Sequence, residues 1–158
     1  MGSLFDTFAG LPVHALVVHA AVVLVPLGAI GAILMAVRSS FSRRFGTLVV
    51  IVAGVAAAST VVAKESGEQF ALRVGTPEPH AELGNLMPLI AGALFLIVLA
   101  FWLFDRGIPA NKSRPTWLTV LGVVMILVSL LALFWTVRVG HTGAQSAWTA
   151  IIENTNPG

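Results

Sequence analysis

Charge is missing from four long stretches of this 158-residue chain, and no motif constrains its fold as much. No Asp, Glu, Lys or Arg occurs between Asp6 and Arg38. Arg44 to Lys64 then encloses 19 uncharged residues, Glu82 to Asp105 encloses 22, and Arg114 to Arg138 encloses 23. About 20 apolar residues, rising 1.5 Å each, cross a hydrocarbon core of about 30 Å, so each stretch is long enough to span a bilayer. Four helices apolar on every side would leave a soluble protein no polar face. Charged residues make up 10% of the chain, where a soluble domain carries about 25%. Open sheets cannot cross lipid and the runs lack alternation of period two, so the spans are read as helices. The expected fold is all-α, an integral membrane four-helix bundle in one domain. Its spans lie at about 11–37, 45–63, 79–104 and 115–137, followed by a short interfacial tail over 141–158.

The first span lacks a basic segment before it and is too long for the apolar core of a signal peptide, so it is read as retained. Arg38, Arg43 and Arg44 follow span one, and Arg106, Lys112 and Arg114 follow span three. Six of the nine basic residues therefore share one side, which the positive-inside rule assigns to the cytoplasm. Both termini and the acidic segment Lys64–Glu82 then lie outside, giving an N-out, C-out protein of a bacterial cytoplasmic membrane. Trp102 and Trp117 near the inner boundary, with Trp135 and Trp148 near the outer one, suit an aromatic belt.

This topology gathers all four histidines at the outer leaflet. His14 and His19 lie in span one, His80 opens span three, and His141 follows span four. His14 and His19 diverge by about 140° around a helix and about 7.5 Å along it, so they should meet different neighbours, one near His80 and the other near His141. His19 sits deeper, where an imidazole needs a partner, which makes it the first candidate ligand. Thr76, Pro77 and Pro79 should hold His80 at a rigid helix entry. Arg138 and His141 share a face if the helix continues through Gly140, and Arg138 could offset an anionic group such as a haem propionate or Glu65. Pro26 and Pro88 should kink their helices, and Gly28, Ala32, Gly54, Ala58, Gly84 and Gly92 should serve close packing.

The opening FDTFAGLPVHALVVHAAVVLVPLGA, the segments AKESGEQFALRV and HAELGNL, and the ending GHTGAQSAW resemble the bacterial membrane-protein family known as domain of unknown function 2231, especially its actinobacterial members. The resemblance covers nearly the whole chain. Pro12-Val13-His14 is similar to the family's P-x-H pattern, and His19 matches its second histidine. The resemblance implies four helices and, since some members carry a fused Rieske iron–sulfur domain, a redox neighbourhood. Here a Rieske-type or other redox partner would be a separate protein.

Three readings follow. The first is a b-type haem protein that transfers electrons at the outer face, with His14, His19, His80 and His141 as candidate ligands and Arg138 near the propionates. The second is a copper- or zinc-binding or transport-linked protein using the same histidines and Glu65. The third is an accessory subunit that packs in a homo-oligomer or a larger membrane complex. Haem leads because neutral imidazoles on separate helices suit it and the Rieske association points to electrons. The absence of Cys excludes disulfides, thiolate metal sites and covalent c-type haem. No phosphate loop, nucleophile–base pair or carboxylate dyad marks a hydrolase or kinase, so a redox component is expected and no stand-alone enzyme. Scattered basic residues form no stripe for nucleic acid.

Overall fold

Lipid offers the backbone no hydrogen-bond partners, so each apolar run must satisfy its own peptide groups as a helix. A computed structural model describes residues 7–8, 11–75 and 78–155. Helix α1 covers Val13–Val37, α2 Ser39–Val74, α3 Glu78–Asn85, α4 Met87–Asp105 and α5 Thr116–Thr155. Ahead of them, the two-residue strands β1 (Thr7–Phe8) and β2 (Leu11–Pro12) pair antiparallel, Thr7 opposite Pro12. Four segments are long and apolar enough to cross a membrane: α1, α2, α3 with α4, and α5. The all-α bundle expected from the charge pattern is the observed architecture.

Around the bundle the order is α1, α2, α4, α5, with α5 closing back on α1. Sequential helices are neighbours, the up-and-down arrangement that short connections favour. Val25, Ala29, Ala32 and Met35 of α1 are buried with Leu94, Val98 and Phe101 of α4 and Leu118, Met125 and Ala132 of α5. The outward side chains are equally apolar, Leu48, Ile51 and Val55 on α2 and Leu89, Leu96 and Leu103 on α4 among them. A surface of this kind is stable only against lipid or another apolar partner.

Several boundaries differ from the sequence expectation. The connection after α1 is Arg38 alone, in extended conformation (φ −131°, ψ 104°), and Arg43 and Arg44 belong to α2. Long arginine stems can reach the interface from a helix, so a basic run need not be a loop. Helix α2 runs past the charged residues beyond Ala63, where Lys64 bridges Glu68 one turn on at 2.6 Å. Helix α5 continues through Gly140 and Gly143 to Thr155, so residues 141–155 are helix rather than a separate tail. The third span breaks at Leu86, placing Pro88 in the first turn of α4, where its missing N–H costs no helical bond. Pro26 lies inside the uninterrupted α1. Gly28 and Gly54 pack closely, against Ala53 and Phe95, but a Cβ at Gly84 or Gly92 would meet nothing within 4 Å, so those two serve no close contact within the chain. The Thr76 and Pro77 cap lies outside the described residues.

One end of the bundle is closed by an ion pair that also finishes α1. Asp105, 4% exposed, receives Arg114 Nε on Oδ1 at 2.7 Å and Nη2 on Oδ2 at 2.8 Å, and Ser42 donates its hydroxyl to the same carboxylate. Arg114 also donates to the carbonyls of Ala36 (2.6 Å) and Met35 (2.9 Å) and lies over the Phe101 ring. The Arg38 N–H takes the carbonyl of Leu34. Three of the carbonyls that a helix end leaves without partners are thus accounted for. Asp105→Ala is expected to lower stability by about 3–5 kcal/mol, because it strands a largely buried guanidinium that also loses its carboxylate partner. Denaturant titration of the protein in micelles, followed by helical circular dichroism, measures this. A loss below about 1 kcal/mol, the scale of an exposed pair, would contradict it.

Candidate functional site

The opposite end carries the histidines. His14 is the second residue of α1, and its half-buried ring reaches α2, where Nδ1 donates to the carbonyl of Ala63 at 2.8 Å. One turn further, Gly67 makes room for the ring, since a Cβ there would stand 2.9 Å from Cε1 of His14. A turn beyond, Phe70 stacks on the imidazole with ring centres 6.1 Å apart. Positions 63, 67 and 70 follow the spacing of one helix face.

His80 is built the same way from the other two helices. It lies on α3, half-buried, and its Nδ1 donates to the carbonyl of Val139 on α5 at 3.2 Å, with Thr142 Oγ1 at 3.4 Å. Gly143, four residues after Val139, makes room for this ring, as a Cβ there would stand 3.0 Å from Cε1. Each half of the bundle therefore places a histidine near the start of its first helical arm. That histidine meets a carbonyl and, four residues later, a glycine on the second arm. The two rings meet edge-on, with centres 6.5 Å apart and planes at 79°.

The partners fix the protonation pattern. A carbonyl oxygen only accepts, so Nδ1 carries the proton in both rings, and Nε2 of each neutral imidazole keeps its lone pair. A backbone carbonyl on the far nitrogen is the usual way a ligating histidine is oriented and made more basic. The arrangement can donate two nitrogen lone pairs from two separate helices.

The other candidates lie elsewhere. His19 is exposed on α1 and its Nδ1 donates to the carbonyl of Ala15 on its own helix, so the partner expected from span three or four is supplied one turn away. His141 and Arg138 are exposed on α5, and Arg138 lies over the Phe134 ring at 6.0 Å. Glu65 is exposed beside Lys64, at 3.8 Å. Among the described residues, no three of His, Asp and Glu come close enough together to hold a metal ion. The sequence reading missed Gly67, Gly143, Phe70 and Thr142. Its available signal was the four-residue offset to a glycine shared by Ala63–Gly67 and Val139–Gly143.

Residues 10–156 match the family described as predicted membrane protein, DUF2231. The chain belongs to this family. No curated protein and no solved structure matches it. The DUF2231 description states membrane residence and leaves the chemistry open, so the chemistry must be argued from the imidazole pair.

Nitrogen NMR of protein labelled in its imidazoles should find the Nδ1–H tautomer for both His14 and His80. Gly67→Val should displace the signals of His14 more than those of His80, and Gly143→Val the reverse. Equal response of both rings to either substitution would contradict the separate cradles.

Proposed function

We propose that this protein is a membrane-bound b-type haem protein transferring electrons at the outer face of a bacterial cytoplasmic membrane, with His14 and His80 as the residues that would hold the haem. The observation that carries the reading is the pair of oriented imidazoles with uncommitted Nε2 atoms. A metal–imidazole bond is about 2 Å and the ring centre lies roughly 1 Å behind its nitrogen, so two imidazoles that share one metal have centres at most about 6 Å apart. The observed 6.5 Å lies close to that limit. Two is also the number of protein donors that a bis-imidazole haem iron takes, whereas zinc sites use three or four. Haem supplies a one-electron couple when bound. The chain's own residues hold and orient the ligating rings, Phe70 covers one of them, and Arg138 would offset propionate charge. Copper or zinc on the same two rings is the second reading, and it needs a further donor from outside the pair.

The outward placement rests on Arg38, Arg43, Arg44, Arg106, Lys112 and Arg114, all at the end opposite the histidines. Arg43 and Arg44 lie early in α2, where the helix dipole disfavours cations and anionic headgroups favour them. A Rieske-type or other redox protein would then meet the protein from outside, where α2 and α5 extend furthest.

Protein purified from a haem-sufficient host should show a Soret band that shifts on reduction. His14→Ala and His80→Ala should each abolish it, while His19→Ala and Glu68→Gln should leave it in place. Stoichiometric copper or zinc without a Soret band would give the site to the second reading, and neither would leave a non-catalytic accessory subunit. For orientation, Ser40→Cys should be labelled only after permeabilisation and Glu82→Cys from outside the cell. The opposite pattern would invert the topology.

A further inference from the structure

An open cavity of about 360 Å³ lies at the clamp end, between the start of α2 and the connection from α4 to α5. Ser39 and Arg43 of α2 line it with Lys112, Ser113 and Arg114 of the connection, and Asp105 lies at its edge. Asp105 is already committed to Arg114 and Ser42. Arg43 and Lys112 are exposed, and among the described residues neither pairs with a carboxylate. Three cations against one carboxylate leave the lining with a net positive charge. The first turn of α2 adds to it, because the residue before that turn, Arg38, gives no side-chain cap and the leading N–H groups lack helical acceptors.

We propose that this cavity binds a phosphate group carrying net negative charge, either the headgroup of an anionic phospholipid or free phosphate. Arg43 and Lys112 supply the charge, and the hydroxyls of Ser39 and Ser113 supply neutral donors. Arg114 contributes mainly field, since four of its five N–H donors already serve Asp105, Met35 and Ala36. Val37 and Ile108 complete the wall with apolar surface, which a lipid stem can cover and a free ion cannot. The cavity also sits where the apolar spans end, at headgroup depth, and basic pockets there bind anionic headgroups.

Native mass spectrometry of the intact protein, titrated in micelles with phosphatidylglycerol, phosphatidylcholine or inorganic phosphate, tests this. One phosphatidylglycerol should be retained in preference to phosphatidylcholine. Its affinity should fall about tenfold or more in the Arg43→Gln, Lys112→Gln double variant. The Arg44→Gln, Arg106→Gln variant removes the same charge from the same end but outside the cavity, and should bind as the parent does. Binding of inorganic phosphate with the same dependence on Arg43 and Lys112 would support the site with free phosphate as its source. Equal retention of both lipids without phosphate binding, or equal loss in the two double variants, would overturn it. Helical circular dichroism confirms that both variants fold.

Discussion

The buried pair of Asp105 and Arg114 is the contact on which the bundle's geometry depends. It joins α4 and the connection behind it to the last carbonyls of α1 and, through Ser42, to the first turn of α2. A single-residue connection leaves α1 no room for a capping loop, so its final carbonyls need a donor from elsewhere in the chain. A guanidinium suits this task, because its planar fork can hold a carboxylate on one edge and carbonyls on the other. A buried charge pair of this kind adds little net stability over an apolar replacement. Its contribution is to register: α1, α2, α4 and α5 are fixed relative to one another at one end, and everything at the far end inherits that alignment.

From the fixed end the helices run unequal distances. Helices α1 and α4 have 25 and 19 residues, about 37 and 28 Å, close to the thickness of a bilayer core. Helices α2 and α5 have 36 and 40 residues, about 54 and 60 Å, and overshoot. The carbonyls and glycines that cradle the histidines belong to the far halves of the two long helices, and the histidines belong to the helical arms that begin beside them. The site therefore sits where α1 and α3 start.

What could be read from the sequence follows from how costly each feature is in lipid. The four spans were legible because a charge in hydrocarbon is expensive, so its absence over 19 or more residues has one main explanation. Helix ends were not, because charges mark where lipid stops and a helix can continue into water, as α2 does through Lys64 and Glu68. The divergence of His14 and His19 was legible from helix geometry, and His14 does lie beside His80. His19 was misjudged because the carbonyl of Ala15, on the same turn, satisfies its ring without any partner from another span. Asp105 and Arg114 served only as boundary markers, since a contact with carbonyls 78 and 79 positions away leaves no local pattern.

The two histidine cradles share one construction. A glycine inside a helix is destabilising by roughly 1 kcal/mol relative to alanine, and the chain has one at Gly67 and one at Gly143. At Gly67 an added Cβ would stand 2.9 Å from an imidazole, closer than real Cβ contacts come, and at Gly143 it would stand 3.0 Å away, tighter than nine in ten of them. Gly140, one turn before Gly143, faces nothing within 4 Å, so an apolar helix of this kind does not require glycine for clearance everywhere. Other glycines clear other side chains, Gly31 that of Val49 and Gly46 that of Trp102, but clearance of an imidazole is repeated in both hairpins with the same four-residue offset from the accepting carbonyl. At the opposite end the hairpins differ, one turning on Arg38 and the other on the longer Arg106–Pro115 connection that carries the clamp. The matched geometry thus lies at the end where the two imidazoles are brought together. Two imidazoles in matched cradles, with ring centres 6.5 Å apart, bring together one histidine from each half of the bundle.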